Sequence, residues 1–409
     1  MIPKGWAATT IGQHADVLTG FAFKSIEYTS NEHDIKLLRG DNIAPHRLRW
    51  RDVKRFPKDR SAEVARYHLR AGDFVVAMDR TWLPSGVKIA EVAEADLPCL
   101  LVQRVARLRA KASLHQGLMK QFFSGHHFDQ HVQAVQTETA VPHISPADLR
   151  DYPIMLPPLP EQKRIAEILS TWDRAIETVE ALIANTRAQK KALMQSLLTG
   201  KKRLPSFLGA WQETPIAKMG NIVAGGTPDS TDPDYWGGDI AWATPTDITK
   251  LRTRYISQTE RYITPLGLSS SAAKRLPAGT VIVCTRATVG ALAIATVPIT
   301  TNQGFKNIVP NGKHDSDFIY FLLSQNKKAL VRAAGGSTFA EVSKADFEKL
   351  TFPVPQIDEQ RSIAAVLICA DETLEKLQSK LTGLRQEKSA LMQQLLTGKR
   401  RVMVEARAA

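Results

Sequence analysis

Two hydrophobic patterns alternate along this chain. In one, short apolar runs broken by turn-forming residues predict strands; in the other, apolar positions recur every three or four residues and predict long helices. The spacing predicts a first long helix from Glu161 to Leu198, with Ile165, Ile168, Leu169, Trp172, Ile176, Val179, Leu182, Ile183, Leu193 and Leu197 on one stripe. A second runs from Glu359 to Leu396, with Ile363, Val366, Leu367, Leu374, Leu377, Leu381, Leu391 and Leu395 on its stripe. At the rise of an α-helix each would be about 57 Å long. The proline-rich hinge Leu156-Pro-Pro-Leu-Pro160 suits a helix start, and Thr199-Gly200 followed by Lys201-Lys-Arg203 suits a helix end. Gly383 falls inside the second helix, where glycine costs roughly 1 kcal/mol relative to alanine, so a locally weaker or kinked second helix is expected.

The long helices are copies of each other. Glu161 to Arg203 recurs as Glu359 to Arg401 at a constant offset of 198, with 19 of 43 positions identical. The identities bunch at the ends: Glu161-Gln162 returns as Glu359-Gln360, and Leu197-Leu-Thr-Gly-Lys201 as Leu395-Leu-Thr-Gly-Lys399. Such a repeat means two copies of one structural unit. The strand-rich segments repeat more loosely: Gly72-Asp-Phe-Val-Val76 resembles Gly279-Thr-Val-Ile-Val283, and Trp6 with Ile11 resembles Trp211 with Ile216. Ser145-Pro-Ala-Asp-Leu149 matches Ser343-Lys-Ala-Asp-Phe347.

The order is therefore a globule (1–155), a helix (156–204), a second globule (205–353) and a second helix (354–402). Within the globules, strands are predicted at Phe74–Ala77, Val87–Ala90, Val281–Cys284, Ala291–Ile294 and Ile308–Val309. Short helices are predicted near Leu118–Phe123 and Asp317–Ala329, and a frayed end from Val402. The fold class is α+β: two mixed α/β globules separated by two helices whose stripes pair as an antiparallel coiled coil, in a pseudo-twofold repeat.

Composition narrows the function. A chain of 409 residues exceeds one ordinary core. Its formal charge of +13 favours an anionic partner, nucleic acid ahead of membrane surface. Cys99, Cys284 and Cys369 have neither ligand nor disulfide spacing, which points to a reducing compartment. No apolar run approaches the ~20 residues needed to span a bilayer. Met1-Ile-Pro-Lys-Gly-Trp6 lacks the apolar core of a signal peptide, so a cytoplasmic protein without membrane association is expected.

A search for catalytic chemistry finds little. Asp232-Pro-Asp-Tyr235 superficially resembles the Asp-Pro-Pro-Tyr loop of amino-methyltransferases, but its third residue is Asp and no glycine-rich cofactor loop precedes it. Leu198-Thr-Gly-Lys-Lys202 lacks the upstream glycine of a phosphate-binding loop. His126, His127 and His131 have helical spacing without a carboxylate or cysteine constellation. Basic residues are more suggestive. Arg47-Leu-Arg49-Trp50-Arg51, then Lys54-Arg55, could grip phosphates or reach guanine; the alternative is a solvated charged loop. The second globule offers Arg252, Arg254, Lys274, Arg275 and Arg286, with Thr227, Thr285 and Thr288 as short donors. The remaining alternatives are a divergent nuclease or methyltransferase site in a globule, and a non-DNA structural spacer.

Pro-Pro-Leu-Pro-Glu-Gln-Lys-Arg-Ile-Ala (157–166) with Leu-Leu-Thr-Gly-Lys (197–201), and the matching Pro355, Glu359-Gln360, Ile363-Ala364 and 395–399, resemble the specificity subunit of type I restriction–modification systems. Gly225-Gly-Thr-Pro228, Tyr235-Trp236, Ile240 with Trp242, and Asp247 resemble one opening of a target recognition domain. Gly20-Phe-Ala-Phe-Lys24 with Leu38-Arg-Gly-Asp-Asn-Ile43 resembles another. The second copy departs in having Gln356-Ile-Asp358 where the first has Pro158-Leu-Pro160. The resemblance implies that each globule reads half of a bipartite, asymmetric double-stranded DNA target. The helices would set the gap and dock two modification subunits.

Those adenine methyltransferases would carry S-adenosylmethionine. Separate restriction subunits would cleave with ATP and Mg2+, leaving no cofactor or metal and no catalytic residue in this chain. Lys24, Arg39, Arg80 and Lys88 join the residues above as expected DNA contacts.

Overall fold

The computed structural model describes residues 2–335 and 341–403. The chain divides into two units, Met1–Glu180 with Ser379–Ala409, and Ala181–Gln378. The division cuts both long helices, Leu159–Leu197 and Ile357–Leu395, near their middles. Each unit thus holds one globule, the first half of one helix and the second half of the other.

Both globules are built on the same frame. In the first, a sheet runs in the order Ile89–Glu91, Phe74–Ala77, Val105–Ala110, Ala15–Thr19. In the second, Leu292–Ala295, Val281–Val283, Lys306–Pro310 and Gly220–Ala224 hold the same order, with Tyr255–Ile256 added at one edge. A smaller sheet accompanies each. Ile35–Leu38 pairs parallel with Cys99–Leu101 and antiparallel with Arg55–Phe56. Trp236–Ala243 likewise pairs parallel with Thr300–Thr301 and antiparallel with Arg261–Ile263. The edges close alike, Ala7–Thr10 against Pro153–Leu156 and Gln212–Pro215 against Thr351–Val354. Ser145 and Ser343 both accept from the backbone N–H three residues on, at 3.1 Å, which caps a short helix in each copy.

Several predicted elements shift. Val87–Ala90 is two strands, Gly86–Val87 and Ile89–Glu91, because Lys88 lies between different pairings. The helix predicted at Asp317–Ala329 is Ser316–Gln325 then Lys327–Ala333, broken at Asn326. Val402 packs on the first core rather than fraying; 404–409 lie outside the described residues. The second helix runs unbroken through Gly383, whose missing side chain would meet nothing within 4 Å, and Leu182 is 46% exposed rather than on the stripe.

The stripes do less coiled-coil packing than their spacing predicts. Ile165, Leu169, Leu391 and Leu395 belong to the first globule's core, and Leu193, Leu197, Ile363 and Leu367 to the second's. Val179 and Ile183 are buried, while Trp172, Ile176, Leu374, Leu377 and Leu381 are only half-buried. Mid-helix pairing is antiparallel and carried largely by charge. Lys388 donates to Asp173 at 2.6 Å and Arg385 to Glu180 at 2.5 Å in one unit; in the other Lys190 pairs with Asp371. Asp173/Asp371 and Lys190/Lys388 are among the identities between copies, so both units keep the same ion pair.

The identical ends also look inward. Gln162, fully buried, accepts from the His115 N–H at 2.7 Å and donates to the Ser113 and Pro157 carbonyls. Gln360 accepts from the Asp315 N–H at 2.9 Å and donates to the Lys313 and Pro355 carbonyls. Beside each glutamine, a buried carboxylate collects a tryptophan and an arginine. Glu161 accepts from Trp6 Nε1 and from Arg401; Glu359 accepts from Trp211 Nε1 at 3.2 Å and from Arg203 at 2.6 and 2.7 Å. Gly200 (φ +69°) and Gly398 (φ +72°) end the helices in the left-handed region, each pressed against one of those tryptophans. Both helices also start at the same point despite the Pro158-Leu-Pro160 difference: Gln162 N–H donates to the Pro158 carbonyl and Gln360 N–H to the Gln356 carbonyl, both at 3.0 Å.

Replacing Gln360 by Met removes the partners of one buried N–H and two carbonyls. We expect a loss of about 3 kcal/mol in the stability of the second unit. Peptide-resolved hydrogen exchange should show faster opening across positions 313–327 and 355–367, with 1–155 unchanged; equal protection in both proteins would contradict the clamp.

Candidate nucleic-acid interface

In the first unit, three loops converge beside the small sheet. Asn42, 1% exposed, ties two of them: it accepts from the Arg39 N–H at 3.1 Å and donates to the Arg49 carbonyl at 3.0 Å. Arg39 in turn donates to the Asp52 carbonyl at 3.2 Å. Arg49 and Arg51 are left exposed on the held loop. The third loop brings Arg80 and Lys88. The Lys88 ammonium lies beside Gly40, where a side-chain carbon would meet it at 4.0 Å. It has no ion-pair partner among the described residues, and burial holds its pKa below the usual lysine value. Arg39 Nε is also buried without a partner. The unpaired Lys88 ammonium suits an anionic oxygen.

Arg80 is exposed with φ +47°, a left-handed conformation that costs a non-glycine residue energy. Its match in the second globule, Ala287, has φ +59°. The same strained turn therefore follows the same strand in both globules. Trp50 is tied down, donating to Asp96 at 2.7 Å beneath the Lys36 ammonium. Lys24 and Arg47 are exposed, whereas Arg55 is half-buried and donates to the Asp34 carbonyl at 2.8 Å.

In the second unit, Gly225 and Gly226 lie against the backbone of Asn302 and Ala272, where no side chain fits. The Gly-Gly-Thr-Pro motif therefore packs loops together. It gathers Thr227, bonded to Gln303, beside the loop that carries exposed Lys274 and Arg275. Gly304 joins the group next to Arg286, and Thr288 is exposed two residues on; Thr285 is buried and donates to the Gly304 carbonyl. Arg252 is exposed. Arg254, expected among the contacts, is instead 10% exposed and held by Asp317 at 2.7 Å, Asp371 at 3.7 Å and Tyr255. It fastens the globule to the helix. Arg286 lies 3.9 Å from Glu341.

Residues 3–185 and 209–383 match the sequence profile of the type I restriction modification DNA specificity domain. The chain belongs to that family. Relatives include two specificity subunits of type I restriction enzymes from Methanocaldococcus jannaschii. MjaIX is 37% identical over 40% of this chain and 39% of its own length; MjaX, named as putative, is 30% identical over 63% and 62%. The EcoAI specificity subunit of Escherichia coli is 33% identical over 48% of this chain and 33% of its own length. The matched stretches thus span between a third and two thirds of these relatives. In fold, the chain is similar to the S subunit of a type I restriction–modification system from M. genitalium. That likeness covers 97% of this chain and 96% of that one, with TM-score 0.60 and 15% identity. A second solved chain, from work on assembly and conformational transition of the type I system, gives TM-score 0.59 at 18% identity over 98% and 100%.

Motifs that suggested other chemistry have structural roles. Asp232 caps a short turn by accepting from the Asp234 N–H at 3.0 Å, so the Asp-Pro-Asp-Tyr loop is a structural corner. His131 bonds the Asp148 carbonyl at 2.8 Å while His126 and His127 face solvent. Among the described residues, no three His, Cys, Asp or Glu side chains group as metal ligands, and no helix is long and apolar enough to cross a membrane. Cys99 and Cys284 are buried, which pushes their thiol pKa values up to about 12. Arg261 and Gln303 were missed in the sequence, because neither sits in a basic run.

Arg254→Ala strips half-buried Asp317 of its cation, while Asp371 keeps Lys190, and should cost about 2–4 kcal/mol of stability in the second unit. It should leave the salt dependence of DNA binding unchanged, whereas the Lys274→Ala, Arg275→Ala double variant should do the reverse. Titrations at several salt concentrations alongside urea unfolding check both; a flatter salt slope for Arg254→Ala would place that side chain at phosphate.

Proposed function

We propose that this chain is the non-catalytic DNA-recognition subunit of a cytoplasmic type I restriction–modification complex. Each globule reads one half of a bipartite, asymmetric double-stranded target, and the two helices set the gap. The observation that carries the reading is the contrast within the repeat: one frame, two different polar surfaces. Where the first globule presents Arg39-Gly-Asp41 and a hairpin from Arg80 to Val87, the second presents Thr244-Pro-Thr246 and the short turn Ala287-Thr-Val-Gly290. Divergence at matching loops over a shared frame is what reading two unlike half-sites requires.

Lys24, Arg39, Arg47, Arg49, Arg51, Arg80 and Lys88 are the proposed contacts of the first globule. Thr227, Arg252, Lys274, Arg275, Arg286 and Thr288 are those of the second. Docking of two modification subunits falls to repeat residues that are identical yet exposed: Ala192/Ala390, Gln195/Gln393 and Lys201/Lys399. Identity without an internal contact is what one shared external partner demands. S-adenosylmethionine belongs on those modification subunits, and ATP and Mg2+ on the restriction subunits.

Assembled with its modification subunits, the chain should direct adenine methylation to one split motif, read by methylome mapping. Replacing residues 1–155 with the matching globule of another family member should change one half of that motif and keep the other half and the gap. An unchanged motif after that exchange would refute the reading.

A further inference from the structure

One cation in the second globule is stacked on tryptophan and left without an ion-pair partner among the described residues. The Arg261 guanidinium lies 3.5 Å from the ring centroid of Trp236 and 5.3 Å from that of Trp242, and the two indoles meet edge to face at 4.9 Å. Both rings are anchored: Trp236 Nε1 donates to the Asp229 carbonyl and Trp242 Nε1 to the Gly226 carbonyl, each at 2.9 Å. Arg261 is exposed, and among the described residues its guanidinium has no hydrogen-bond or ion-pair partner. Its acidic neighbour Glu260 is paired with Lys250 at 3.1 Å.

A guanidinium held over a fixed indole with no other partner keeps its donors free and loses little freedom on binding. That edge matches two acceptors side by side, O6 and N7 of guanine in the major groove. A phosphate oxygen would be served equally by an unstacked, flexible cation such as Lys274 or Arg275, and needs no such mount. The position fits as well. Trp242 bonds the motif that carries Thr227 and packs against the loop of Lys274, so Arg261 adjoins the proposed contacts of this globule. Counting from the paired strand residues Ile240/Ile263 and Ile35/Phe56, the place of Arg261 in the first globule belongs to Lys54, also basic and exposed.

We infer that Arg261 reads a guanine in the half-site bound by the second globule, with Trp236 as its positioning residue. The inference rests on the DNA-recognition reading above. The test uses the full chain assembled with its modification subunits, on duplexes carrying the mapped motif with every base pair varied in turn. In Arg261→Ala and Arg261→Lys, preference for one G·C pair in the second half-site should fall about 10- to 100-fold, with first-half preferences intact. Arg261→Lys keeps the charge, so its salt slope should stay that of the parent. Trp236→Phe should weaken the same single preference less. A uniform loss across all duplexes, or a ranking of base pairs unchanged in both Arg261 variants, would overturn the inference and leave DNA recognition standing. Absence of any sequence preference in the parent would instead defeat the recognition reading itself.

Discussion

The fold depends on one buried constellation made twice: a carboxylate at the start of a long helix that holds a tryptophan from just before the globule's first strand and an arginine from beyond the other helix's end. Glu359 is 2% exposed, and a carboxylate so far from water is tolerated only when its charge is matched and its oxygens filled. Arg203 matches the charge with two bonds, and Trp211 supplies a third donor. Gln360 next to it fastens the loop ahead of the globule's first core helix. Strand, loop and two helix ends are thereby fixed at one point, and the apolar residues one turn further in, Ile363, Ala364 and Leu367, are aimed into the core.

Fixing the frame frees the loops. In both globules an inner strand is followed, three or four residues on, by a non-glycine residue forced into the left-handed region, Arg80 or Ala287. Such strain persists only where surrounding structure over-determines the backbone, and here the edge bridges Asp79 with His143 and Arg286 with Glu341 hold the turn. Beyond the turn each copy packs its own residues on the core, Trp82 and Val87 in a hairpin in the first and Val289 in a tight turn in the second. The mid-helix acids have a related effect. Asp173, Glu180 and Asp371 spend their charge on helix cations and Arg254, so they do not offset the exposed arginines and lysines of the loops.

Much of this was legible in the sequence. The 198-residue offset located both helices to within two residues at each end, and the doubled frame came with it, because a repeat is a statement about structure that needs no propensity scale. Periodicity misjudged what the stripe touches: the spacing of Ile165, Leu169 and Leu197 is the same whether they face a helix or a globule. Charge runs found the loops of Arg49, Arg51, Lys274 and Arg275. They also admitted Arg254, since a sequence does not show that Asp317 and Asp371 arrive beside it. They passed over Arg261, which is flanked by Glu260 and distant along the chain from both of its indole partners. Arg261 meets Trp242 only through strand pairing, and that register is a long-range fact.

The same constellation explains where the two copies were free to differ. Each clamp is a hybrid. Glu161 and Trp6 come from the first copy but their arginine, Arg401, from the second; Glu359 and Trp211 come from the second but Arg203 from the first. Neither copy can change its half without stranding a buried charge or an indole N–H in the other, so the helix ends stay matched as a pair of pairs. Likewise Asp173 with Lys388 and Lys190 with Asp371 each join residues of both copies. Among the described residues, Arg80 and Ala287 share no such mutual tie, nor do Lys54 and Arg261. Those positions answer only to their own globule and to whatever it meets outside, and they are the positions that have drifted.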